Sequence, residues 1–266
     1  MKKVLTIAGS DSCGGAGIQA DLKTFSALGT YGMSVITAVT AQNTRGVLNV
    51  RELDPEIIRD QINAVFDDIE VDAVKIGMVS SAAIIGTIGE ALKRHGARNI
   101  VVDPVMVSKS GCHLLREEAR EALIKVLLPL AVVVTPNLFE GEVITGEKIT
   151  TLAGMEKAAS RIRQMGPGYV VVKGGHLEGD AVDVLYDGRH FHYLKGVRIP
   201  TQHTHGTGCT FSSAIAAYLA GGCTVEEAAT RSKEYINGAI ANSFPIGHGV
   251  GPTHHFYQFF KVGDPK

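Results

Sequence analysis

NIVVDPVM, residues 99–106, is a short β-branched run that ends on a carboxylate and a proline. Three other stretches are built alike: VDAVKIGM (71–78), AVVVTPN (131–137) and YVVVKGGH (169–176). Apolar runs without alternation are the mark of strands buried on both faces, and helical patterns lie between these four. Strands that alternate with helices imply crossovers, hence a doubly wound, mostly parallel sheet covered by helices on both faces. Each run finishes in polar or glycine residues at its carboxyl end, where ligands bind in open α/β sheets. Asp11, Gln42, Asp103, Asn137, Glu140 and Lys173 are therefore expected along one edge of the sheet.

Working outward, VLTIAGSDS (4–12) reads as a strand that stops in a glycine-rich loop, and AGIQADLKTFSALG (16–29) as a helix closed by Gly29. YGMSVITAVTAQN (31–43) and VLNVREL (47–53) read as strands. Asp54 and Pro55 suit the N-cap and first position of PEIIRDQINAVFDD, and Ser80 or Ser81 suits the cap of AAIIGTIGEALKRHG, which ends at Gly96. Beyond Lys173 the pattern changes to a hairpin, VDVLYDGRHFHYL, turning at Asp187-Gly188. VEEAATRSKEYINGAIANSF is a further helix, and GHGVGPTHHF (247–256) a glycine-rich segment expected to pack across the site.

No internal repeat or Pro/Ser-rich linker interrupts the 266 residues, so one domain over 1–266 is the economical reading. The 26 basic and 27 acidic residues leave a net charge of −1, which argues against nucleic acid or a membrane surface as partner and for a small molecule. Cysteines at 13, 112, 209 and 223 have no metal-ribbon spacing and are expected as reduced thiols in the cytoplasm. The apolar run after Met1 is broken at Gly9, too soon for a secretory signal, and no run reaches the ~20 residues of a membrane span.

The chemistry concentrates in HTHGTGCT (203–210), just before the apolar run FSSAIAAYLA. A glycine-rich turn opening a helix offers unpaired amides and the positive end of the helix dipole to an anion. The alternative is an ordinary tight turn into a buried helix. Cys209 in the first helical turn is either a thiol whose pKa the dipole lowers, placed as general base beside an alcohol, or a small buried hydrophobe. His203 and His205 are formally possible metal ligands, though loop histidines with this spacing are more often solvated. Asp103 either holds magnesium or caps a turn, and Asn137 to Glu140 matches a capping box as well as it does a metal site. Lys173 is either a solvated strand end or a phosphate ligand. Gln42 and Asn43 are either solvent-facing loop residues or, through the Gln42 amide with its donor and acceptor side by side, the reader of a heteroaromatic ring. Gly15-Ala16-Gly17 with Ala20 imitates a dinucleotide fingerprint, but no acid ends the second strand to hold a ribose. No Gly-Lys dipeptide exists for a P-loop.

Taken in order, AGSDSCGGAGIQADLKT, TAVTAQNT, VVDPVM, TPNLFE, VVKGGH and HTHGTGCT closely resemble the bacterial hydroxymethylpyrimidine/phosphomethylpyrimidine kinases of thiamine biosynthesis, in the ribokinase-like superfamily. The resemblance runs from the first strand to about Gly251 and Pro252. It implies a three-layer αβα sandwich, a homodimer, and ATP- and Mg²⁺-dependent phosphorylation of 4-amino-5-hydroxymethyl-2-methylpyrimidine and then of its monophosphate. It also implies an anion hole at Gly206, Thr207 and Gly208 with Cys209 as the catalytic residue. Cys209 stands where most of the superfamily has Asp. Substrate contacts fall on Gln42, Asp21, Gly9, Met78 and Val105, ATP and phosphate contacts on Lys173, Asn137 and Thr204, and magnesium on Asp103 and Glu140. Two alternatives remain: a pyridoxal or pyridoxine kinase with similar motifs, which TAQN suits less well, and a non-catalytic sensor, which would be expected to have lost the anion turn, an acid or Cys209.

Overall fold

A computed structural model describes residues 1–106, 117–175 and 181–263, so the expectations that touch Cys112 and His176 lie outside the described residues. Among the described residues nine strands form one sheet: β1 (Lys3–Asp11), β2 (Tyr31–Asn43), β3 (Gly46–Glu52), β4 (Ala73–Ile76), β5 (Ile100–Val102), β6 (Val133–Val134), β7 (Tyr169–Val172), β8 (Asp183–Tyr186) and β9 (Phe191–Leu194). Their order is β3-β2-β1-β4-β5-β6-β7-β8-β9. The pairings from β2 through β7 are parallel, and β3, β8 and β9 add antiparallel edges.

Strand parity sorts the core into two layers. Leu5, Ile7, Val74, Ile76, Val102, Val134, Val170 and Val172 point to a layer formed by α2 (Pro55–Phe66), α3 (Ala82–Arg94), α4 (Glu117–Ala122), α5 (Leu138–Thr145) and α6 (Leu152–Arg163). Val4, Ala73, Val101, Val133 and Val171 meet α1 (Gly17–Ala27), α7 (Thr207–Ala220) and α8 (Val225–Ala241) on the other side. The same parity turns Thr6 and Lys75 toward α1, because residues two apart on a strand share a face. The result is the αβα sandwich read from the sequence.

Local signals act as expected in most places. Gly29 takes φ 75° after α1, and the amide of Thr30 donates back to Phe25 O at 2.9 Å, closing the helix. Ser81 caps α3 by accepting from the Ile84 amide. Asp54 precedes α2 with Pro55 at the first position, but its side chain accepts no capping bond, so the proline's fixed φ is what starts that helix. No helix among the described residues is long and apolar enough to cross a membrane.

Candidate active site

The carboxyl ends of the central strands and the start of α7 enclose a cavity of about 300 Å³. Gly206 is the N-cap of α7 with φ 78°, a left-handed conformation, and a Cβ there would collide with the Gly15 carbonyl. Thr204 O accepts from Thr207 Oγ1 at 2.8 Å and from the Thr207 amide at 3.4 Å, and the Thr210 amide donates to Gly206 O at 2.8 Å, which fixes the turn at the cavity wall. A Cβ on Gly208 would stand 3.4 Å from Lys173 Nζ and 3.5 Å from Asp103 Oδ2, which places the turn directly beside both charges.

Those charges form the second part of the site. Asp103, just past β5, accepts at Oδ1 from Thr135 Oγ1 (3.0 Å) and Lys173 Nζ (2.8 Å), and Ser212 Oγ lies 3.4 Å from Oδ2. Burial pushes the Asp103 carboxyl up, but Lys173 and Lys75 outweigh it and hold it below the usual range. Lys173 is set beside Asn137 by a parallel bridge that extends the β6–β7 pairing. Asn137 and Glu140 form a full capping box: the Glu140 amide donates to Asn137 Oδ1 at 2.9 Å and the Asn137 amide to Glu140 Oε2 at 2.8 Å. Both residues nevertheless line the cavity, so one motif serves two purposes. Burial, joined by the nearby Asp103 charge, raises the Glu140 carboxyl to about 7 against the pull of Lys173. Asp103 and Glu140 both line the cavity, and paired carboxylates are the donors a hard divalent cation takes.

The rest of the lining suits a ring. Gln42 at the end of β2, Gly9, Met78 and Val105 all belong to it, and a Cβ on Gly9 would run into Met78. Val250 completes this part, held by a bond from its amide to Thr44 O (2.8 Å) and from the Gly249 amide to Thr44 Oγ1 (3.0 Å). The glycine-rich tail thus packs across the site. His205 N donates to Gly251 O at 3.0 Å, tying the tail to the anion turn.

Three expectations need correction. Asp21 does not line the cavity. It is fully buried, and its carboxylate is filled by Thr6 Oγ1 (2.6 Å), Ser213 Oγ (2.7 Å) and Lys75 Nζ (2.9 Å to each oxygen). It faces inward because it lies on the stripe of Ile18 and Phe25, on the sheet-facing side of α1. Thr204 also lies outside the cavity lining; its part is the carbonyl that Thr207 caps. Cys209 lines the cavity, but its thiol is not lowered. Burial and the charges of Asp21 and Asp103 overcome Lys75 and the Gly17 amide, pushing it up to about 11. The histidines have protein partners: His203 Nδ1 accepts from Gly251 N at 3.1 Å, and His205 Nε2 lies 2.9 Å from Asp11 Oδ2. The residue the sequence reading missed is Lys75, fully buried yet on the cavity wall, and its signal was a lysine inside the apolar run AVKI.

A family model described as phosphomethylpyrimidine kinase matches residues 11–254. A hydroxymethylpyrimidine/phosphomethylpyrimidine kinase of Rhizobium meliloti is 55% identical over 97% of this chain and 98% of its own. A bifunctional thiamine biosynthesis protein of Geobacter sulfurreducens is 52% identical over 98% of this chain, which spans 54% of that longer protein. Among solved structures, the ADP complex of Bacillus subtilis pyridoxal kinase has a TM-score of 0.91 at 45% identity, covering 97% of this chain and 98% of its own. Staphylococcus aureus pyridoxal kinase with AMP-PCP and pyridoxal has a TM-score of 0.90 at 40% identity, covering 97% and 95%.

Proposed function

The chain belongs to the phosphomethylpyrimidine kinase family, and from that premise we propose that it phosphorylates the hydroxymethyl group of 4-amino-5-hydroxymethyl-2-methylpyrimidine and then the resulting monophosphate, in thiamine biosynthesis. ATP is the donor, in keeping with relatives crystallised with ADP and AMP-PCP. The observation that carries this reading is the meeting, in one cavity, of an anion turn, a Lys173–Asp103–Glu140 cluster and a Gln42-bearing apolar wall.

Each part has a task. The amides of the α7 turn at Gly206, Thr207 and Gly208 receive negative charge on the transferring group, and Lys173, whose Nζ lies close to Gly208, adds a cation. Asn137 lies beside Lys173 at the nucleotide end. Asp103 and Glu140 would hold Mg²⁺, which neutralises phosphate charge when bound. Gln42 reads the aminopyrimidine edge between Met78 and Val105, with Gly9 giving the ring room. Cys209 faces the acceptor oxygen of the first transfer. Its raised thiol suits a hydrogen-bonding contact at rest, and phosphoryl transfer depends more on positioning and charge than on a strong base.

Lys75 and Asp21 support the floor of the site rather than touch substrate. The chain works as one cytoplasmic domain and as a homodimer, for which the edge strand β3 offers Leu48, 78% exposed. A pyridoxal or pyridoxine kinase is the second reading, favoured by the likeness to the two pyridoxal kinases. A coupled assay with magnesium-ATP tests both against hydroxymethylpyrimidine, its monophosphate and pyridoxal in parallel. Turnover of the two pyrimidines supports the first reading, and turnover of pyridoxal alone replaces it with the second.

A further inference from the structure

Ser10, Asp11, Thr40, Gln42 and His205 form a polar chain whose protons can be counted. The Asp11 carboxylate receives the amides of Cys13 (2.8 Å), Gly15 (3.1 Å) and Ala16 (2.8 Å). Burial alone would raise its pKa, but His205 and these amides outweigh that and hold it below the usual range, so it is ionised. His205 Nε2, 2.9 Å from Asp11 Oδ2, must then carry a proton and donate it. The same nitrogen lies 3.3 Å from one terminal atom of Gln42, assigned as Nε2. An amide N–H cannot donate to a nitrogen that already bears a proton. Thr40 Oγ1 raises the same conflict: its single proton faces both Ser10 O (3.0 Å) and the other Gln42 atom, assigned as Oε1 (3.2 Å).

Turning the Gln42 amide by 180° moves no heavy atom and removes both conflicts. Oε1 then shares the His205 proton, Nε2 donates to Thr40 Oγ1, and Thr40 donates to Ser10 O. One N–H and one lone pair of Gln42 remain for a ligand, in an order that the protein has fixed. We infer that His205, clamped by Asp11, is a positioning residue that sets which end of the Gln42 amide donates and which accepts, and so determines selectivity for the aminopyrimidine ring.

This rests on Gln42 being the ring reader. Because both transfers use the same ring, the effect falls on both acceptors, whereas a role in proton transfer would fall on the first alone. His205→Phe keeps a ring against Gly15, where a Cβ would meet His205, but removes the N–H. It is expected to raise KM about tenfold for hydroxymethylpyrimidine and for its monophosphate, with kcat within about twofold. His205→Gln, which restores a donor, should recover most of the loss. In a Gln42→Ala background, His205→Phe should add nothing, since the residue acts through that amide. A tenfold rise that persists in that background overturns the proposal, as does a fall in kcat without a change in KM. If Gln42→Ala itself leaves both KM values unchanged, the ring-reader assignment has failed instead. Should the phenylalanine variant not fold, a cycle of His205→Leu, which also lacks a donor, with Gln42→Ala reads the same coupling: a coupling of about tenfold in KM supports the proposal and none overturns it.

Discussion

Two carboxylate–lysine pairs lie side by side in this molecule. Lys75 and Asp21 meet at 2.9 Å with both side chains at 0% exposure, while Lys173 and Asp103 meet at 2.8 Å with 17% and 3%. The difference is closure. Asp21 has every partner it needs inside the protein: a threonine from β1, a serine from α7 and the lysine from β4. Asp103 is satisfied at one oxygen and only loosely approached by Ser212 at the other, and it faces the cavity. A sealed pair joins α1, β4 and α7 across one layer, and an open pair waits for a ligand's charge. A charged residue next to an active site therefore belongs to the fold or to the chemistry according to how many of its bonds the protein already makes.

The sharpest way to break this distinction is to remove each lysine in turn. Lys75→Met leaves Asp21 buried without a counter-charge and is expected to cost about 3–5 kcal/mol of stability by urea unfolding. Lys173→Met takes one of two nearby cations from Asp103, which keeps Thr135, Ser212 and the Lys75 charge, so it should cost less than the first substitution, about 1–3 kcal/mol. Its kcat/KM should fall about 10²-fold for both transfers, since charge stabilisation at the phosphoryl group is lost. Equal destabilisation by the two substitutions would dissolve the contrast. Cys209→Ala tests the boundary between the regions, because Cys209 lies on the cavity wall yet feels Lys75, Asp21 and Asp103. It should slow the first transfer about tenfold or more and the second little, because the second acceptor is already an anionic phosphate. Equal losses in single-step assays would assign it to positioning alone.

The smallest effect is one of pH. Glu140 holds its proton in the folded state up to about 7, against an ordinary value of 4.5. Between those values the folded protein binds more protons than the unfolded chain. The contribution is thus fully present below 4.5 and is lost as the pH rises through about 7. Glu140→Gln removes that slope. Its stability relative to the parent protein should rise by about 2–3 kcal/mol from pH ~5 to pH ~8, and a constant difference across the range would show that the carboxyl is not raised.

The open pair was legible in the sequence. Parallel topology gathers all strand ends on one edge, so Asp103 and Lys173, each following a buried run, had to come close without any knowledge of distance. The sealed pair was legible in principle: Lys75 interrupts AVKI, and Asp21 stands between Ile18 and Phe25 on an apolar helical stripe. Each alone is an anomaly, and only together do they cancel. Asp21 was instead assigned to substrate by resemblance, which transfers a residue's neighbourhood more faithfully than the direction it faces. The bond between His205 and Asp11 spans 194 residues and depends on the path of two loops, which no local pattern encodes. The thiol of Cys209 failed for a related reason: a helix dipole is read from sequence position, whereas burial and the carboxylates behind it come from tertiary packing.

The collision that a side chain at Gly206 would make with Gly15 means that the first loop of the chain and the turn before α7 interlock backbone to backbone, and Gly251 then ties the tail to the same turn. During synthesis, the strands and the first helices can emerge and pair in sequence order, but this last lock waits until about 250 residues have been made. A chain stopped short of that point would have most of its sheet but neither the wall that Val250 completes nor the tie from Gly251 to His205. The last stretch of chain to be made is thus the one that finishes the pocket.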